Sequence, residues 1–246
     1  AREDAINAQR RARQQLKALL LRNEIRYVGK SSWSEPHRRW LADVKLPQPS
    51  QQISFEEYLS AIGEASQRVE RLGKVIQEQV SGWRFEPVVK ALQAMRGIQF
   101  LTAVSLVAEL GDVTRFAHAR QLMGYLGLVP RERSTGEHRW QGSITKTGNV
   151  NARRALVEAA WAYRYPARVS RLIALRQEQA PKVAKDIAWK AQLRLTSRYK
   201  KLMARHLHHN KVMVALAREM AGFVWAMGQV VKPDQPGTGR SKASLA

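Results

Sequence analysis

Gly124–Asn149 reads GYLGLVPRERSTGEHRWQGSITKTGN and lacks the apolar stripe of a helix in a chain otherwise patterned for helices. Leu126 to Ile144 is expected to be mostly irregular or to form a small β-ribbon. The segment mixes glycines, hydroxyls and basic side chains just ahead of a helix expected to begin near Val150 with Asn149 as its cap. Glycine lets a backbone turn sharply and approach a ligand closely. Serine and threonine supply a nucleophile, and arginine and lysine bind phosphate. The combination points to chemistry on a nucleic-acid backbone.

Working outward, helices account for most of the rest, so the fold class is mainly α. Arg2 to Tyr27 carries the apolar stripe Ile6, Leu16, Leu19, Leu20 and Ile25, with arginines on the other face. A short helix follows over Pro36 to Val44, and Pro47 and Pro49 mark a linker. Ser54 and Glu57 form a capping box that opens a helix to about Val80. Phe55, Leu59, Ile62, Val69, Leu72, Ile76 and Val80 give that helix a coiled-coil seam. Val88–Met95 and Phe100–Leu110 flank the turn Arg96-Gly97-Ile98, an arrangement similar to a helix-hairpin-helix module, whose turn amides bind phosphate. Helices over Val183–His206 and Lys211–Val230 complete the pattern. The first presents Lys185, Arg194, Arg198, Lys201 and Arg205 as a basic face.

Composition narrows the partners. With 246 residues, 44% hydrophobic and 25% charged, the chain is globular. It carries 42 basic against 20 acidic residues, a net charge of +22. The excess is concentrated: residues 1–45 hold 11 basic and 5 acidic side chains, residues 164–218 hold 14 and 2, and residues 46–130 balance at 8 each. Basic segments around a neutral middle fit a polyanion better than solubility alone. No apolar run is long enough for a membrane span, no signal peptide is evident, and without cysteine there is no disulfide or thiolate metal site. A cytoplasmic bacterial protein with no membrane partner is expected.

From Ala91 through Tyr163 the chain resembles the transposase domain of bacterial insertion-sequence recombinases, those guided by a structured bridge RNA. The residues that carry the resemblance begin with Leu92–Ile98, Glu109–Asp112 and Arg115-Phe116. They continue with Gly124–Pro130, Ser134-Thr135-Gly136, Gly142–Asn149 and Arg153-Arg154. The first 45 residues resemble the central region of such proteins. The resemblance implies DNA transposition by a recombinase of the serine/DEDD type, with DNA and a structured guide RNA as partners. A homo-oligomer is expected from the seam of the Ser54–Val80 helix, which reads either as an intermolecular coiled coil or helical hairpin or as a plain core-facing helix. Such proteins pair an RNase-H-like domain, whose acidic residues hold magnesium, with a domain whose serine attacks DNA. This chain resembles the carboxy-terminal portion, so magnesium is expected in the other domain and no cofactor or metal in this one.

The family's serine falls on Thr135, with Ser134 beside it; both are candidate nucleophiles. The implied organisation is a basic helical connector over 1–50, a coiled-coil-like helix over 51–86, a transposase domain over 87–231 and a disordered tail over 232–246. Candidate nucleic-acid contacts are Gly97, Arg131, Arg133, Gly136, Arg139, Lys146, Arg153 and Arg154. Trp140, among basic residues, is a stacking candidate, whereas Trp161, Trp189 and Trp225 sit in helical patterns and read as core. Glu109 and Asp112 read as the exposed end of a helix. The spacing of His206, His208 and His209 matches no standard ligand set.

Overall fold

A computed structural model of the chain describes residues 1–135 and 138–235, with side chains throughout except those of Ser134 and Arg139. Ten α-helices and one two-stranded antiparallel sheet lie among those residues, so the chain is mainly α. They divide into two compact units, residues 1–79 and the remainder. No described helix is long and apolar enough to cross a membrane.

The first unit contains α1 (Arg2–Arg22), α2 (Glu35–Asp43) and most of α3 (Pro49–Val80). Its core joins Ala12, Leu16 and Leu20 of α1, Leu41 of α2, Leu46, and Phe55 and Ile62 of α3. Gln9 Nε2 donates to Ser66 Oγ at 2.8 Å, linking the start of α1 to the middle of α3. α1 stops five residues short of the expected Tyr27, because Glu24 turns into the left-handed region at φ +59°. α3 begins at Pro49 rather than at the Ser54 capping box. Proline fits a first helical position, and Ser54 Oγ instead bonds back to the Ser50 carbonyl at 3.0 Å. Of the expected seam, Phe55 and Ile62 are buried and Leu59 packs against the same core.

The second unit is organised around α10 (His209–Val230). Val212, Met213, Leu216, Ala217, Met220, Ala221, Val224 and Met227 recur at intervals of one and three and are all buried, an unusually wide stripe. A stripe that wide serves several neighbours: α4 (Glu86–Leu92), α6 (Ala119–Tyr125), α7 (Val150–Ala160) and α9 (Lys182–Met203) all pack on it. α5 (Phe100–Leu110) packs on α4 and α7, and α8 (Arg171–Gln177) ties back to the α4–α5 corner. There Arg176 Nη1 donates to the Ile98 carbonyl at 2.8 Å and Gln177 Nε2 to the Ala94 carbonyl at 3.1 Å. The start of the expected tail is anchored, since the Asp234 amide donates to the Arg84 carbonyl at 2.8 Å. Residues 236–246 lie outside the described ones.

Candidate nucleic-acid interface

β1 (Pro130–Thr135) and β2 (His138–Ile144) form an antiparallel hairpin between α6 and α7. A lone two-stranded hairpin is marginal in water, so its base decides whether it holds a shape. At that base the Lys146 amide donates to the Gly127 carbonyl at 3.1 Å and the Thr145 amide to the Val129 carbonyl at 2.9 Å. Arg153 Nη1, from α7, donates at 2.9 Å to both the Leu126 and the Thr147 carbonyls. Gly127 (φ +63°) and Gly148 (φ +72°) sit where these two segments cross. A methyl on Gly127 would overlap the Thr147 carbonyl oxygen, and one on Gly148 the Tyr125 carbonyl oxygen. Gly127 and Gly148, one from each motif, thus build a clasp beneath the hairpin.

Glu109 completes that clasp. Asn149 caps α7, its Oδ1 accepting from the Ala152 amide at 2.8 Å, while its Nδ2 donates to Glu109 Oε2 at 2.6 Å. Asn151 Nδ2 donates to Glu109 Oε1 at 2.9 Å. Glu109 is therefore not a free helix end as expected: both its oxygens hold the start of α7, across 40 and 42 residues of sequence. Asp112 is likewise engaged, accepting from the Thr114 amide at 2.9 Å and the Thr114 hydroxyl at 2.7 Å. The two asparagine bonds hold the Glu109 carboxyl below its ordinary pKa. A depressed carboxylate stabilises the fold above its unfolded-state pKa and loses that contribution as pH falls through the folded value. Glu109→Ala is expected to cost about 1–3 kcal/mol at neutral pH. The difference from wild type should shrink toward zero in acid, as followed by thermal melts across pH.

The hairpin's register groups its side chains. Glu132 pairs with Gln141, Arg133 with Trp140, Ser134 with Arg139 and Thr135 with His138. Side chains alternate along a strand and directly paired residues share a face. Positions 131, 133 and 135 therefore share one face with 138 and 140, gathering Arg131, Arg133, Thr135, His138 and Trp140, all exposed. Trp140 is 56% exposed and lies over Gly142, which leaves room for the indole beside the strand. The register irregularity between Pro130 and Glu132 is a bulge, a device that re-aims a strand end. His138 has no mark in the sequence alone. Only the pairing partner of Thr135 singles it out, and that depends on the register.

The other expected contacts separate by what already engages them. Arg131 Nη2 reaches the Thr145 carbonyl at 3.4 Å, a long bond that leaves the guanidinium at the surface. Among the described residues Arg133 and Lys146 enter no ion pair, and Lys146 holds a left-handed backbone at φ +58°. Arg153 is committed to the clasp, and Arg154 stands 4.0 Å from Glu158. Gly97 (φ +86°) lies against α7, where a methyl would overlap the Ala159 carbonyl oxygen. Gly136 falls outside the described residues, and the Arg139 backbone pairs with Ser134. The basic face expected on α9 is partly neutralised: Glu219 of α10 takes Arg194 at 2.9 Å and Arg198 at 3.0 Å. Trp189, expected in the core, is 40% exposed because it falls off the Ala184–Ala188–Ala191–Leu195 stripe that packs inward. No group of three or more His, Asp or Glu side chains is placed to hold a metal among the described residues.

Residues 89–173 match the Transposase IS116/IS110/IS902 family, a span that takes in α5, the clasp and the whole hairpin. The chain is thus similar to that transposase family over this segment. It is 43% identical over 229 residues to "Putative transposase y4qE" of Sinorhizobium fredii, covering 93% of this chain and 55% of that protein. It is 27% identical over 194 residues to the transposase for insertion sequence element IS1533 of Leptospira borgpetersenii, covering 78% and 56%. It is 30% identical over 173 residues to the transposase for insertion sequence element IS1111A of Coxiella burnetii, covering 70% and 36%. The chain thus spans about half the length, or less, of these curated relatives.

Proposed function

We propose that this chain acts in DNA transposition, and that its 130–144 hairpin presents Thr135 as the hydroxyl that attacks a DNA phosphodiester. The observation that carries this reading is the register, which groups Thr135 with Arg131, Arg133, His138 and Trp140. In the attack, a bond forms from Thr135 Oγ1 to phosphorus and the bond from phosphorus to the leaving sugar oxygen breaks. The Thr135 proton passes to the facing imidazole of His138. The leaving oxygen keeps the electron pair of the broken bond and takes up a proton. Directly paired residues bring their Cβ atoms to about 4.5–5.5 Å, within range for such a transfer. Arg131 and Arg133 neutralise charge growing on the nonbridging oxygens, for which a planar guanidinium is well matched. Lys146 adds charge at the base of the hairpin, and Trp140 stacks on a base beside the scissile phosphate.

The product is a covalent phosphoryl-protein link that conserves the bond for rejoining. Whole-element transposition would further need a structured guide RNA, further copies of the chain, and a magnesium-holding acidic domain outside residues 1–246. The test mixes the chain, with and without a full-length relative supplying that domain, with element-end DNA, guide RNA and magnesium. A denaturation-resistant protein–DNA adduct that disappears in Thr135→Ala and persists in Ser134→Ala is the expected result. Loss in Ser134→Ala alone would move the nucleophile by one residue. Salt-sensitive binding with no adduct in either mixture would reduce the chain to a noncatalytic binding module.

A further inference from the structure

The first unit contains a cavity of about 490 Å³ between α1 and α2 that the hairpin chemistry does not use. Protein interiors leave few voids larger than a water molecule, whereas small-ligand sites run to roughly 300–1,000 Å³. Tyr27, Trp33 and Trp40 line it around the buried imidazole of His37, with ring centroids 4.6 to 5.5 Å from that imidazole. The three outer rings are only half-buried, so they present aromatic surface to the opening. Trp33 holds a left-handed backbone at φ +66°, a conformation that persists in a bulky residue only where its surroundings enforce it. His37 Nδ1 is buried without a hydrogen-bond partner.

The rim is cationic. Lys17 and Arg26 line the opening, and the Arg13 guanidinium stacks 4.7 Å over the Trp33 ring. None of the three enters an ion pair among the described residues. Arg13 is crowded by Arg38, and burial together with that like charge pulls its pKa down, the reverse of what a carboxylate partner would do. Aromatic walls beneath an unneutralised basic rim match the two halves of a nucleotide, a flat base and an anionic phosphate.

We infer that this cavity receives an unpaired base of a single-stranded nucleic acid, stacked among Tyr27, Trp33 and Trp40, with its flanking phosphates on Arg13, Lys17 and Arg26. The site is independent of the hairpin and of its nucleophile. It sorts strands by whether a base is free to leave its stack, so a paired duplex is excluded and a bulge, loop or displaced strand is admitted.

The test measures binding of the full chain to fluorescent 12-nucleotide single strands, in RNA and DNA versions, with bases or with abasic spacers, by anisotropy across salt. Base-containing strands are expected to bind about five- to a hundredfold more tightly than abasic ones, the range for stacked bases. Trp33→Leu should erase most of that difference. Lys17→Gln should weaken both kinds of strand and lower the log–log salt slope by about 0.7. Because Trp33→Leu could loosen the unit, wild-type chain is also photo-crosslinked through 5-iodouracil in each strand. Crosslinks at Tyr27, Trp33 or Trp40 are expected, and the RNA and DNA arms show which strand the cavity takes. Equal binding of base-containing and abasic strands, or crosslinks confined to Trp140 and the carboxy-terminal helices, would overturn the inference.

Discussion

Gly148→Ala is expected to lower the melting temperature of the second unit by roughly 6–15 °C. The residue sits at φ +72°, which costs a side-chain-bearing residue about 1–2 kcal/mol. Steric conflict adds to this, because the new methyl would overlap the Tyr125 carbonyl oxygen, which is rigid backbone rather than a movable side-chain tip. To relieve it the 145–149 segment must lift away from 125–129, straining the Lys146–Gly127 and Arg153–Thr147 bonds at about 1 kcal/mol each. A loss of about 3–4 kcal/mol follows, at 2–4 °C per kcal/mol for a unit of this size. Gly124→Ala is the matched control from the same motif. It lies within α6 with open space around it, so alanine should be neutral or stabilising by up to about 1 kcal/mol. Circular-dichroism melts read both variants. An unchanged melt for Gly148→Ala would mean that the clasp is not what supports the hairpin.

The contrast between those two glycines shows how far the sequence carries the reading. The wide α10 stripe and the punctuation around Gly124–Asn149 mark helices and an interruption, because periodicity and turn chemistry are local signals. The use of each motif residue is nonlocal. Gly124 and Gly148 look alike in sequence, and only the carbonyl that crosses Gly148 separates them. Arg153 reads as a phosphate binder until its guanidinium is found on Leu126 and Thr147. Glu109 reads as an exposed end because nothing local says that Asn149 and Asn151 will reach it. The strand register is nonlocal in the same way. A slip of one residue would exchange the face that holds Thr135 for the one that holds position 134, and His138 becomes relevant only once the register is fixed. The aromatic cavity of the first unit likewise needs α1 and α2 brought together before Tyr27, Trp33 and Trp40 share a site.

Thr135→Ala should abolish covalent attachment to DNA, a fall of at least about 10³-fold in rate, since no neighbouring hydroxyl shares its place on the hairpin face. Thr135→Ser supplies the more discriminating result. Threonine's second methyl restricts χ1 and crowds an in-line approach to phosphorus. Serine keeps the hydroxyl and removes that crowding, so the adduct should form faster, by roughly fivefold for each 1 kcal/mol relieved. His138→Gln should slow the step by about 10²–10⁴-fold, as for loss of a general base, while leaving the salt dependence of binding unchanged. Arg133→Gln should do the opposite in part, weakening both binding and rate. Thr135→Ala, His138→Gln and Arg133→Gln separate attack, proton acceptance and charge neutralisation, because each removes one function from a face whose backbone the clasp holds fixed. An adduct that survives Thr135→Ala, or a Thr135→Ser variant no faster than wild type alongside an inert His138→Gln, would sink the assignment of this face as the reacting one. The hairpin would then be a phosphate-gripping ribbon whose Arg131, Arg133 and Lys146 set affinity alone.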